Sequence, residues 1–133
     1  MIEQVDHVGI VVQDLDQAIR LYRDAFGIEP TAVYESLHTK ARIAFIPVGQ
    51  VNIELLQPVD NDSVMGKFLE KKGEGFHHIA YRVKDVDESL GILEAKGIKL
   101  VDQKSRKVRE NERVGFLHPK STNNVLIELI QED

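Results

Sequence analysis

Two histidines and two glutamates stand in surroundings that call for a common partner. His7 lies in Asp6-His7-Val8-Gly9-Ile10 and His78 in His77-His78-Ile79-Ala80. Glu54 and Glu128 are each set among apolar neighbours, in Ile53-Glu54-Leu55-Leu56 and Leu126-Ile127-Glu128-Leu129. A buried, unpaired carboxylate is costly, so a metal, another cation or water must lie close to each. Two imidazoles and two carboxylates form a borderline-to-hard donor set suited to Co²⁺, Ni²⁺, Zn²⁺, Mn²⁺ or Fe²⁺. An octahedral ion held by four protein ligands keeps two positions for substrate or water. The chain has no cysteine, so a metal must be held by nitrogen and oxygen.

The four residues occupy equivalent places in an internal repeat. Shifted by 71 residues, Asp6-His7-Val8-Gly9-Ile10-Val11-Val12 falls over His77-His78-Ile79-Ala80-Tyr81-Arg82-Val83, and Asp14-Leu15-Asp16 over Asp85-Val86-Asp87. Arg42-Ile43-Ala44-Phe45 falls over Arg113-Val114-Gly115-Phe116 at the same offset. With three more residues in the second copy, Ile53-Glu54-Leu55 falls over Ile127-Glu128-Leu129. Such ordered matches indicate duplication. A pseudo-twofold relation between the copies would let His7, Glu54, His78 and Glu128 converge. His77 points away from His78 by strand alternation, and His38 and His118 have no repeat counterpart, so these three are read as non-ligands.

Each copy reads as a strand, a helix and further strands, an α+β pattern. Asp14, with Gln17 three residues on, caps a helix whose Leu15, Ala18, Ile19, Tyr22 and Phe26 follow helical spacing and face the sheet, and Gly27 ends it. Asp85 and Glu88 repeat the cap before Val86, Leu90 and Leu93, and Gly97 closes that helix. Strands are predicted around 31–37, 41–47 and 50–57, and around 98–103, 112–118 and 124–131. Between the copies, Ser63 caps a short helix through Val64, Met65, Phe68 and Leu69, with Lys71 and Lys72 near its negative end. Residues 1–133 are therefore expected to form a single domain, with module one at about 3–58, a connector at about 59–75 and module two at about 76–131.

Composition narrows the function. At 133 residues, 42% hydrophobic and 29% charged, the chain has the balance of an ordinary globular domain. A net charge of −5 argues against a general nucleic-acid or membrane-surface binder, while leaving room for an anionic small substrate met by local charge. No apolar run approaches the roughly 20 residues that span a bilayer, and the N-terminus lacks the pattern of a secretory signal. A cytoplasmic location is expected.

The paired modules, with His and Glu at these strand positions, resemble the vicinal oxygen chelate (glyoxalase/bleomycin resistance/dioxygenase) superfamily. Within it the chain is most similar to methylmalonyl-CoA epimerases, over essentially its full length. The motifs are Asp6-His7-Val8-Gly9-Ile10, Ile53-Glu54-Leu55-Leu56-Gln57-Pro58, Asp62-Ser63 running into Lys67-Phe68-Leu69, and Gly73-Glu74-Gly75-Phe76-His77-His78-Ile79-Ala80. Phe116-Leu117-His118-Pro119-Lys120-Ser121-Thr122 and Val125-Leu126-Ile127-Glu128-Leu129 complete the set. The resemblance implies a glyoxalase-like fold of two βαβββ modules forming a cupped, mostly antiparallel sheet around one divalent ion, often in a homodimer. It also implies interconversion of the C2 epimers of methylmalonyl-CoA by proton abstraction through a metal-stabilised enolate, with Glu128 as both ligand and catalytic base.

Epimerisation needs one base on each face of C2, or one mobile base. The strand position where some relatives carry a second glutamate corresponds here to Arg42, which cannot act as a base at neutral pH. Lys40, His38 and Glu35 are the nearby candidates, and Arg42 is either a surface residue or a holder of the substrate carboxylate. A second departure is the cationic run Lys104-Ser105-Arg106-Lys107-Val108-Arg109, read as a solvated loop that could meet coenzyme A phosphates. Lys120 and Ser121 are further candidates for substrate contact. The competing functions are a glyoxalase I acting on a methylglyoxal hemithioacetal, which shares such a His/Glu/His/Glu quartet, and a metal-free drug-binding resistance protein, which typically lacks it. A dioxygenase, usually with two His and one carboxylate on iron, is disfavoured by a fourth ligand.

Overall fold

The computed structural model describes residues 1–133, all of the chain, as eight strands and three α-helices. Strand β1 (Gln4–Val11) leads to α1 (Leu15–Phe26), β2 (Ala32–Ser36), β3 (Ala41–Val48), β4 (Val51–Pro58) and α2 (Val64–Lys72). There follow β5 (Gly75–Arg82), α3 (Val86–Ala95), β6 (Arg106–Arg109), β7 (Glu112–Leu117) and β8 (Ile127–Glu132). No helix is long and apolar enough to cross a membrane. Contacts divide the chain into two compact units, one of Val8–His77 and one of Met1–His7 with His78–Asp133. The first seven residues thus group with the second half of the sequence, and the division falls beside His7 and beside His78.

In the Val8–His77 unit, β2, β3 and β4 form antiparallel ladders. Asp14 caps α1 by accepting from the Gln17 amide at 3.0 Å, and Gly27 ends it in the left-handed region at φ 69°, where a side chain would be strained. Leu15 and Ile19 of α1 pack on Val12, Ala44, Ile46 and Leu55. Phe26, expected against the sheet, is instead exposed, with its ring edge-on to Tyr22, because the last turn of α1 runs past the apolar surface. Ser63 caps α2 through the Gly66 amide at 3.1 Å. Gly66 sits so close to the preceding turn that a Cβ would come within 2.3 Å of the Asp60 carbonyl oxygen.

In the other unit, β5 pairs in parallel with β8, and β8–β7 and β7–β6 are antiparallel. Asp85 caps α3 as Asp14 caps α1, accepting from Glu88 at 2.9 Å. Val86 and Leu90 are fully buried with Val83, Leu117 and Leu129, and Leu93 packs beside them.

The strand expected around 98–103 is not formed. Its apolar residues Ile98 and Leu100 do pack on the core, yet they contribute only an isolated bridge between Leu100 and Leu117. The ladder with β7 forms later, at Arg106–Arg109, in the stretch read as a loop. Apolar alternation marked the segment that is buried, while the pairing went to a charged edge strand that keeps one face in solvent.

Candidate metal centre

Strand register brings the predicted ligands His7, His78 and Glu128 together. On β5, Ala80 stands beside Glu128 of β8, so His78, two residues earlier, leaves the strand on the same face as Glu128. The start of β1 is tied to the end of β5 by the Glu3 amide, which donates to the Arg82 carbonyl at 2.9 Å, and His7 follows from there. His7 Nε2 and His78 Nε2 lie 3.2 Å apart, and Glu128 Oε1 lies 3.2 Å from His78 Nε2 and 3.5 Å from His7 Nε2. His7 and His78 are each 3% exposed and Glu128 is 7% exposed. All three belong to one unit although His7 and His78 come from different repeats.

This triangle fits a divalent ion. Neighbouring ligands on an ion bound at about 2.0–2.2 Å stand roughly 3.0–3.5 Å from one another. Asp6 Oδ2 lies 2.7 Å from His7 Nδ1, which places the proton there and leaves the Nε2 lone pair facing the centre. Asp6 is in turn bonded by the Arg82 guanidinium. A carboxylate behind a ligating imidazole fixes its ring and raises its basicity. Burial pushes the Asp6 carboxyl upward, but the bonds from His7 and Arg82 prevail and hold it below its ordinary range. Burial works to raise the Glu128 carboxyl, while protons shared with the two imidazoles outweigh that and hold it below the usual carboxylate range; a bound ion would take the place of those protons. Glu128 is therefore ionised at neutral pH.

The other predicted residues are placed as follows. Glu54 stands on β4 in the second unit, half-buried and directly across from Phe45 of β3. Arg42 pairs with Gln57, three positions from Phe45, so it leaves β3 on the face opposite to Glu54. There it meets Asp16 of α1 at 3.5 Å. The β3 residues on the Glu54 face are Ala41, Ile43, Phe45 and Pro47, none of which can take a proton. Glu35 pairs with Arg42 and shares that opposite face, while His38 and Lys40 lie in the β2–β3 turn. His77 meets Phe68 edge-on with centroids 4.8 Å apart, on the face away from His78. Lys120 and Ser121 form a short 3-10 turn after β7, where Ser121 Oγ accepts from the Lys99 amide at 2.9 Å.

Against this geometry, the sequence profile of the glyoxalase/bleomycin resistance protein/dioxygenase superfamily matches residues 6–116. The chain belongs to this superfamily. Within it, the chain is similar to an ethylmalonyl-CoA/methylmalonyl-CoA epimerase of Cereibacter sphaeroides, at 35% identity over 98% of this chain and 99% of that one. It is also similar to the crystal structure of methylmalonyl-CoA epimerase from Mycobacterium tuberculosis, with 37% identity, 99% and 89% of the two chains covered and a TM-score of 0.92. A methylmalonyl-CoA epimerase in complex with methylmalonyl-CoA and NH4+ superposes with a TM-score of 0.92 at 33% identity, covering 99% of this chain and 96% of that one. The expected α+β, glyoxalase-like fold is thereby established.

Residues that the sequence did not mark also flank this cluster. Asp6 escaped notice because its repeat counterpart is His77, so the symmetry that singled out the candidate ligands gave it no signal. Phe116, whose ring lies edge-on to His78 at 5.9 Å between centroids, was visible only as part of a motif. The adjacency Asp6-His7 was the one available clue, since an acid beside a ligand histidine can orient it.

Proposed function

We propose that this protein is a metal-dependent epimerase that interconverts the C2 epimers of methylmalonyl-CoA. The observation that carries the reading is the buried triangle of His7 Nε2, His78 Nε2 and Glu128 Oε1, with edges of 3.2, 3.2 and 3.5 Å. Glu54, the repeat counterpart of Glu128, is the fourth ligand in this proposal, assigned from the duplication. Full-length similarity to epimerases, one of them holding methylmalonyl-CoA, supports the choice of substrate.

A divalent ion held by these residues would act as a Lewis acid for the charge that builds on the thioester oxygen as the C2 proton leaves. Asp6 holds the His7 ring in the tautomer that faces the centre. Glu128, ionised at neutral pH, takes the C2 proton onto its carboxylate and returns it. The Glu54 face of β3 offers Ala41, Ile43, Phe45 and Pro47, so a second base does not come from there. Return of the proton to the opposite face then falls to a mobile Glu128 or to a group outside β3. Arg42, paired with Asp16, is left to a structural role on the α1 side.

The test is to incubate metal-loaded protein with a single epimer of methylmalonyl-CoA, and separately with the hemithioacetal of methylglyoxal and glutathione. Formation of the other epimer, lost in His78→Ala, is the expected result. Isomerisation of the hemithioacetal with methylmalonyl-CoA left unchanged would assign the site to the glyoxalase I reaction instead.

A further inference from the structure

The cations of the segment 104–109 are sorted by the register of β6. Arg106 stands opposite Val114 of β7 and Lys107 opposite Arg113, so the Arg106 and Lys107 side chains leave the strand on opposite faces. Val114 in turn stands opposite Ile130, and Phe116 opposite Glu128. Arg106 therefore shares its face with the ligand Glu128. The side chains agree: the Arg106 guanidinium carbon lies 5.7 Å from the centroid of the Phe116 ring, and that same ring packs against His78. Ala80, Val108, Val114 and Ile130 make the rest of this floor apolar.

The guanidinium is held in place from one side. Asp102 Oδ2 accepts from the Phe116 amide at 2.8 Å and lies 3.4 Å from Arg106 Nη2, while Asp102 Oδ1 lies 3.3 Å from Arg106 Nε. The Asp102 side chain is 15% exposed and that of Arg106 is 54% exposed, an anchored acid carrying an open cation. A guanidinium has five N–H donors in a rigid fork, so two contacts to Asp102 leave donors to spare. A cation fixed over an aromatic ring, beside a metal face with an apolar floor, suits an anionic group of a bound substrate.

We propose that Arg106 binds an anionic oxygen of the substrate, carboxylate or phosphate, at the rim of the metal face, with Asp102 as its positioning residue. This rests on the acyl-CoA reading of the same site. The experiment compares wild type, Arg106→Gln, Arg106→Lys and Lys107→Gln, all metal-loaded, by calorimetric binding of coenzyme A and of methylmalonate. KM and kcat are then measured with methylmalonyl-CoA and with methylmalonyl-pantetheine, which lacks the nucleotide phosphates. Loss of a charge-assisted hydrogen bond corresponds to roughly 10-fold weaker binding.

The expected result is that Arg106→Gln weakens one of the two anions by about that factor and raises KM more than it lowers kcat. Arg106→Lys, which keeps the charge without the fork, should recover part of the loss, and Lys107→Gln, on the far face of the same strand, should match wild type. A defect confined to coenzyme A and absent with the pantetheine thioester identifies phosphate; a defect shared by methylmalonate and the pantetheine thioester identifies the carboxylate. The proposal is overturned if Arg106→Gln binds both anions as wild type does, if Lys107→Gln is equally impaired, or if wild type binds neither. Wild type that binds these anions in an Arg106-dependent way but leaves C2 untouched would sink the epimerase reading while the role of Arg106 stood.

Discussion

Two imidazole nitrogens and a carboxylate oxygen within 3.5 Å of one another inside a protein form a donor set that suits a cation, and Asp6 orients it by bonding to the far side of the His7 ring. Asp6→Asn should weaken divalent-metal affinity by about 10–100-fold, the usual effect of losing such a partner, with the fold retained. Calorimetric titration of metal-stripped protein checks it, and an unchanged affinity would remove Asp6 from the centre. Glu128→Gln should lose more, because it removes a ligand as well as the proposed base. The cluster of His7, His78 and Glu128 was legible in the sequence since duplication put these residues in register and apolar flanks made a buried carboxylate conspicuous. For Arg42, which the family resemblance singled out, the strand register decides the face, and it leaves β3 opposite to Glu54.

Among the elements, α3 and the segment leading into β6 are joined by Asp87. Its two carboxylate oxygens accept from the Ser105 amide at 2.6 Å and from the Ser105 hydroxyl at 2.9 Å. These bonds hold the Asp87 carboxyl below its ordinary value of 3.8. A group with a lowered folded pKa contributes stability that is present above its unfolded value and is lost as pH falls through the folded one. The urea midpoint of wild type should therefore exceed that of Asp87→Asn by a constant margin from neutral pH to about pH 5, and the margin should shrink as the pH drops toward 3. A margin that grew on acidification would contradict the assignment. Deeper in the same unit, Leu90 is fully buried against Val86, Leu117 and Leu129, and Leu90→Ala should cost about 2–5 kcal/mol in chemical denaturation. Both caps and the helical faces were readable from Asp14, Asp85 and the apolar spacing. The place of β6 was not, because its charged residues carry no burial signal and its position is set by pairing with β7 and by the bonds at Ser105.

At the scale of the molecule, the grouping of Met1–His7 with His78–Asp133 explains how two repeats supply ligands to one cluster. The repeat was plain in the sequence, but which unit the first seven residues join depends on long-range pairing at the start of β1, and no local pattern records it. Metal that binds the folded centre and not the unfolded chain should raise stability by about 2.7 kcal/mol at 100 times Kd, seen as a rise in Tm that His78→Ala abolishes. The homodimer implied by the family resemblance should appear as twice the monomer mass in sedimentation. The central claim is that this centre removes and restores the proton at C2 of an acyl-CoA. Its most direct test is to hold metal-loaded protein with methylmalonyl-CoA in deuterated water and follow C2 by mass spectrometry. Deuterium should enter in the presence of the ion, and entry should fall to background in metal-stripped protein and in Glu128→Gln. Entry that is indifferent to both, or no entry with the ion bound, would contradict the account.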